Sequence, residues 1–445
     1  MIDVFPFAGY PVALYGLDEA GLFTARALHA GQAELSAWDN DPDNRARALE
    51  AGISPQDFCS GDLRDFTTLV VSAHAWANDA AAKALAMRAL EQNLEVICDV
   101  ELLARTQREA AYIGISGAYG KSLTAAIVTY LLQVTGREGE MAGLSGTSAL
   151  NTDPLGSEGV YVLEMTPFRL DHTVSITFDV AVLLNMDDTM GRKPALQIFH
   201  RQTEPRAAVI SIDDASSQNI FKKLSKAGEQ RVFPVSIKQS VKGGVFVKQG
   251  TLFDSFNGGK PTAVMDLSAI AQFAGPHAQA NVAAAFATVR AIGVEPHAAM
   301  AAINSFPGLV DHLEEIEKID GVLYINDAAS TSLDCVASSF AGYENIHWIG
   351  GGDEIVNNDG ISAIKSVSKR IKGAYLFGQA GKDLASALKG SIPVTLCKNL
   401  EEAIQAASQM EATAVVIYGP GCPSENGDAF RTLIEALPGT RDDEE

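Results

Sequence analysis

The stretch Gly114-Ile115-Ser116-Gly117-Ala118-Tyr119-Gly120-Lys121-Ser122 follows an apolar run at Tyr112–Ile115 and opens a helix-period stretch from Lys121 to about Val134. Strand, glycine turn and helix in that order let backbone N–H groups curl around phosphate oxygens. The helix N-terminus adds the positive end of its dipole, a lysine adds a point charge, and a serine hydroxyl reaches a divalent cation. Gly117, Gly120, Lys121 and Ser122 are therefore candidates for a nucleotide loop that takes ATP and Mg2+. The spacing departs from a full P-loop, because Ile115 stands where the first glycine belongs. A plain strand-to-helix glycine turn is the simpler alternative.

Outward from this loop the chain alternates strands and helices. Upstream, Val12-Ala13-Leu14-Tyr15 leads into Gly16-Leu17-Asp18-Glu19-Ala20-Gly21 and a helical pattern to Leu28, and a second strand ends at Ala37-Trp38-Asp39. Apolar runs at Leu69-Val70-Val71 and Val96-Ile97-Cys98 extend that parallel sheet. Downstream, strands are expected at Val160–Leu163, Val180–Leu184 and Ala208–Ile212, and helices at about Ala278–Ile292 and Pro296–Ser305. The glycine-rich stretch Val235 to Gly259 predicts short antiparallel strands. After Phe306-Pro307-Gly308, strands at Val322–Asn326, Ile346–Gly350, Ala374–Phe377 and Ala414–Tyr418 alternate with helices, and the tail from Arg441 is charged. The fold class is α/β in three domains: Rossmann-like 1–107, a central P-loop-type ATPase domain with a parallel sheet 108–304, and Rossmann-like 305–445.

Composition narrows the function. The 445 residues are 47% hydrophobic and 20% charged, as in a folded soluble protein. Their formal net charge of −21 argues against nucleic acid as a partner, since an acidic surface repels phosphodiesters. Five scattered cysteines without a C-x-x-C pair fit reduced thiols, and Met1-Ile2-Asp3-Val4-Phe5 lacks the basic start of a signal peptide. With no run of about 18 apolar residues to span a membrane, a cytoplasmic protein is expected.

Further motifs, in order along the chain, carry a family resemblance. Val162-Leu163-Glu164-Met165, Leu184-Asn185, Gly275-Pro276-His277-Ala278-Gln279-Ala280-Asn281, Phe306-Pro307-Gly308-Leu309 and Asn326-Asp327-Ala328-Ala329-Ser330-Thr331 join the glycine loop. Together they resemble the Mur ligases, nearest the type that adds D-glutamate to a UDP-muramoyl peptide. The resemblance implies ATP and Mg2+ as cofactors and an acyl-phosphate route. It implies Lys121 and Asp327 as catalytic residues, and Gly117, Gly120, Lys121, Ser122, Asn281, Asp327 and Thr331 around the nucleotide. Ser122 and Glu164 would hold Mg2+, and Asp39 would touch the uridine ribose. A solvated strand-end aspartate remains the other reading of Asp39.

Against the family pattern, polar positions are replaced in every ligand site. Ala118 and Tyr119 stand for the loop's threonine and asparagine, and the bulky Tyr119 either crowds the loop or swings clear of it. Thr189 falls at the place of a metal-binding histidine, and the place of a carbamylated lysine falls near Ile198. Ala278 replaces an asparagine, Asp311-His312 replace a histidine-arginine pair, and Ala329 replaces the lysine of N-D-S-K-A-T. The C-terminal loop Gly419-Pro420-Gly421-Cys422-Pro423-Ser424 lacks its aromatic half. Asp18 and Glu19 place carboxylates where a glycine loop would meet the UDP diphosphate. The reading favoured is a catalytically impaired paralogue with at most residual nucleotide binding and a regulatory or scaffolding role toward a protein partner in cell-wall synthesis. An active D-glutamate ligase, or a ligase of altered substrate, is the alternative.

Overall fold

A computed structural model describes residues 1–445 except 145, 187–191, 354–359, 409, 411–412, 423–425 and 442–445. The chain divides into two compact units, the first made of 1–246, 253–262 and 281–303 and the second of 247–252, 263–280 and 304–445.

The first unit opens with four strands, β1 (Pro11–Tyr15), β2 (Glu34–Trp38), β3 (Thr68–Val71) and β4 (Glu95–Ile97), ordered β2-β1-β3-β4 and all parallel. The central strands β1 and β3 are buried almost throughout, as expected of a parallel sheet, whereas the edge strand β2 is mostly half-exposed. The order reverses beside β1, so a crevice forms where β1 and β3 end, at the Gly16–Gly21 turn and Ser72.

Within the same unit follow β5 (Ala111–Ser116), β6 (Gly139–Ala142), β7 (Val160–Glu164), β8 (Val180–Leu183), β9 (Ala207–Ser211), β10 (Arg231–Ser236) and the start of β11 (Val245–Lys248). Their order is β11-β10-β9-β8-β5-β7-β6. The helix Lys121–Val134 begins and ends where the sequence pattern predicts. Glycine-rich 235–259 departs from its expectation, because β10 and β11 pair in parallel through Val235↔Val245 and Ser236↔Phe246. Gln249-Gly250, both at positive φ (52° and 77°), then form the tight turn into β12 (Thr251–Asp254), and β13 (Thr262–Asp266) follows.

In the second unit, β14 (Glu314–Ile319), β15 (Val322–Asn326), β16 (Ile346–Gly351), β17 (Ile371–Phe377), β18 (Val394–Cys397) and β19 (Val415–Tyr418) form a sheet ordered β14-β15-β19-β16-β17-β18. Only β14 runs antiparallel. The sequence pattern missed this edge strand because Glu314-Glu315-Ile316-Glu317-Lys318-Ile319 is too charged to read as apolar. A charged edge suits a strand with one unpaired side.

Candidate functional site

The glycine loop sits at the C-terminal end of β5, between β7 and β8. Register pairs Ile115 with Glu164 and Ser116 with Leu183, so Glu164 and Asn185 flank the loop from opposite sides. Gly120 caps the following helix at φ 85°, and a Cβ there would collide with the Asn281 carboxamide. Glycine is required on both counts.

Three predicted residues meet here. Ser122 Oγ donates to Glu164 Oε2 at 2.9 Å, and Lys121 Nζ lies 4.0 Å from Glu164 Oε1. The ammonium also donates to the carbonyls of Gly117 (3.0 Å) and Ala118 (3.3 Å). Hydroxyl and carboxylate oxygens side by side are the hard donors that Mg2+ takes, so this part of the site fits the metal. Tyr119 does not fill the loop, since its side chain is 52% exposed.

Asn185 has a role that the sequence motif left unassigned. Its Oδ1 accepts from the backbone N–H of Ala118 (2.8 Å) and of Tyr119 (3.1 Å), and its Nδ2 donates to the Tyr119 carbonyl at 2.9 Å. Two amides of the glycine loop are thus paired within the chain. Near the expected place of the carbamylated lysine, Ile198 is fully buried in the apolar core. Thr189 lies outside the described residues. Among the described residues no cluster of three or more His, Cys, Asp or Glu is poised to hold a metal.

At the crevice beside β1, Asp39 is 8% exposed and turned inward. Its Oδ2 accepts from Leu17 N–H (2.7 Å) and Asn44 Nδ2 (2.9 Å), and its Oδ1 accepts from Asp41 N–H (2.8 Å). Asp18 caps the helix Glu19–Ala30, accepting from Gly21 N–H at 3.3 Å and from the Ser72 hydroxyl.

Arg169 escaped the sequence reading altogether. Thr166-Pro167 starts a short helix, with the Thr166 hydroxyl accepting from Arg169 N–H, and that turn aims the guanidinium into the interior. At 3% exposure it pairs with Asp99 through Nε–Oδ1 (3.2 Å) and Nη2–Oδ2 (2.8 Å), and it also donates to the carbonyl of Gly143. The threonine-proline pair was the available signal, but it marks a helix start and not a charge pair.

In the second unit, Asp327 is 3% exposed. It accepts from Leu313 N–H (3.1 Å) and the Ser330 hydroxyl (2.5 Å), and burial pushes its carboxyl up to about 6. Thr331 is exposed nearby. Burial holds the His312 imidazole below its ordinary value, so this residue is neutral at pH 7 where the family carries an arginine. The neighbouring cation, Arg431, is paired with carboxylates, donating to Glu314 at 2.9 and 3.3 Å and lying beside Asp311 and Asp428.

The chain is similar to known proteins along its length. The UDP-N-acetylmuramoylalanine--D-glutamate ligase of Caulobacter sp. (strain K31) is 32% identical over 465 residues, covering 98% of both chains. The protein of the same name from Rhodospirillum rubrum is 33% identical over 468 residues, 99% of this chain and 98% of that one.

The chain belongs to the Mur ligase family.

Within the Mur ligases it is of the MurD type. No protein-family model matches it. Solved Mur ligases share its fold: the UDP-N-acetylmuramate-alanine ligase MurC of Thermotoga maritima matches with TM-score 0.58 at 13% identity over 96% of this chain and 99% of that chain. The MurF ligase of the same organism, solved in complex with ADP, matches with TM-score 0.52 at 18% identity over 83% and 95%. Among the described residues no helix is long and apolar enough to cross a membrane.

Proposed function

We propose that this Mur ligase homologue serves peptidoglycan precursor synthesis in the cytoplasm as a regulatory or scaffolding protein. In this reading it retains at most nucleotide binding and carries out little or no ligation. The three-domain division 1–107, 108–304 and 305–445 is part of the same reading.

Ligation by way of an acyl phosphate gathers negative charge on the transferred phosphoryl group, and fixed cations and metal must neutralise it. Lys121 would hold the phosphates, Ser122 and Glu164 would hold Mg2+, and Asn281 would lie beside the base. Bound Mg2+ would supply charge neutralisation. Elsewhere the cations are missing: Ala329 and a neutral His312 stand at two family positions that carry charge. The observation that carries the reading is that polar groups facing the ligand positions are already satisfied from within. Asn185 occupies two loop amides, Asp18 occupies a helix N-terminus, and Asp327 is sealed under Leu313 and Ser330. Losing one transition-state contact costs about 2.7–4 kcal/mol, and several lost together leave little rate.

Two observations favour an active ligase. Lys121, Ser122 and Glu164 remain grouped, and relatives about one-third identical over their full length bear the D-glutamate ligase name. Phosphate release in a mixture of ATP, Mg2+, UDP-N-acetylmuramoyl-L-alanine and D-glutamate separates the two. No release above background is expected. Turnover that disappears in Lys121→Ala would establish the ligase reading and end the regulatory one.

A further inference from the structure

We propose a second ligand site in the cavity at the N-terminal ends of β5 and β8, where Arg108 and Arg206 would hold a small anion bearing a phosphate or carboxylate. The cavity measures about 580 Å3, within the ~300–1,000 Å3 of small-molecule sites. It lies at the far end of the sheet from the glycine loop. Ala111 opens β5 beside the cavity and Ser116 ends β5 at the loop, ~17 Å further on at the usual rise of a parallel strand. The site is therefore separate from Lys121, Ser122 and Glu164. Buried Tyr112 and Ile176 give the wall an apolar part, and Ser157 and Thr177 add hydroxyls.

Three arginines line this cavity, and their partners differ. Arg105 is spent, since it donates to Glu101 at 2.8 Å and to Glu95 at 2.9 Å. Arg108 is exposed and uses only its Nε, on the Arg105 carbonyl at 3.0 Å. That bond steadies the guanidinium and leaves both terminal NH2 groups without a partner among the described residues. Arg206 Nε is enclosed yet makes no hydrogen bond among the described residues, because Asp179 Oδ1, at 3.6 Å, is too far for one. Asp179 is committed elsewhere, its Oδ2 accepting from Tyr112 N–H at 2.9 Å. An enclosed donor that the chain leaves unmatched is one that an anionic oxygen from outside would satisfy. Guanidinium groups suit carboxylate and phosphate oxygens in particular, because they offer paired, planar N–H donors. The exposed Glu109 is the opposing charge in the lining. A ligand here would tie residue 108, in the link between the first two sheets, to Arg206 at the start of β9.

The site is independent of whether the chain ligates, so its test stands apart from that of the proposed function. Titration calorimetry with inorganic phosphate and with glutarate is run on full-length Lys121→Ala, in which the glycine loop has lost its cation. Saturable, submillimolar binding of at least one probe is expected, and which probe binds tells a phosphate site from a carboxylate site. Adding Arg108→Gln or Arg206→Gln to that background is expected to weaken binding by about tenfold or more, the worth of one charge-assisted hydrogen bond. If the Arg206→Gln protein fails to fold, Arg108→Gln decides by the same criterion, since its side chain is exposed. Failure of both probes to bind overturns the proposal. Binding that is unchanged in the folded arginine variants overturns it as well, because the anion then sits elsewhere.

Discussion

Asp327 illustrates how a single residue is decided by its surroundings. The motif Asn326-Asp327 suggests a carboxylate facing ATP, yet the side chain anchors the linker to the loop 326–331 through Leu313 N–H and Ser330 Oγ. Burial raises its carboxyl from 3.8 to about 6, so the folded protein holds this proton more tightly than the unfolded chain does. The stabilising contribution is complete below about pH 4 and disappears as pH rises through about 6. Asp327→Asn mimics the protonated state. Relative to wild type it is expected to gain on the order of 3 kcal/mol between pH 4 and pH 8 in urea unfolding. An equal difference at the two pH values would contradict that assignment. No sequence pattern reveals this, because exposure at a strand end depends on what the linker lays over it.

Among elements, the seam between the first two sheets is held by specific polar ties. Ile2 N–H donates to the Leu150 carbonyl at 2.9 Å, Thr24 and Ser148 share a hydrogen bond at 3.0 Å, and Trp76 stacks on Phe168 at 4.8 Å. Buried Glu101 accepts from Val174 N–H (2.8 Å) and Ser175 N–H (2.9 Å). The Asp99–Arg169 pair is the most deeply buried ion pair among these ties. Removing one partner strands the other charge in a low-dielectric interior, at a cost of about 3–5 kcal/mol. Asp99→Ala is therefore expected to destabilise the first unit by that amount in chemical denaturation. Asp99→Ala together with Arg169→Met should recover most of the loss. A single variant as stable as wild type would refute a structural role for the pair. Element types were legible because apolar runs and glycine turns report local periodicity. The tie between elements was not, since Asp99 and Arg169 are far apart in sequence.

Across the whole molecule, Lys121, Ser122 and Glu164 all belong to the first compact unit, and Asp327 and Thr331 to the second. Units with separate cores unfold with their own stabilities, and a ligand raises only the stability of the unit that binds it. Calorimetry is expected to resolve two transitions, with Mg-ATP raising the one assigned to the first unit and Lys121→Ala abolishing that shift. A shift that survives Lys121→Ala would place nucleotide binding elsewhere. The α/β class was legible from alternating strand and helix patterns, and the family from motif order. The charged edge strand Glu314–Ile319 and the parallel β10–β11 pairing were not, because pairing partner and direction are tertiary facts.

The amino-acid order by itself determined the alternation of elements, the place of the glycine loop and which family polar groups had been replaced, because each of these is written in local periodicity and residue type. Only the tertiary structure decided what the remaining polar groups do. A carboxylate or carboxamide bonds to whatever donor the fold brings within about 3 Å. For Asp18, Asp39, Asn185 and Asp327 that donor belongs to the chain itself.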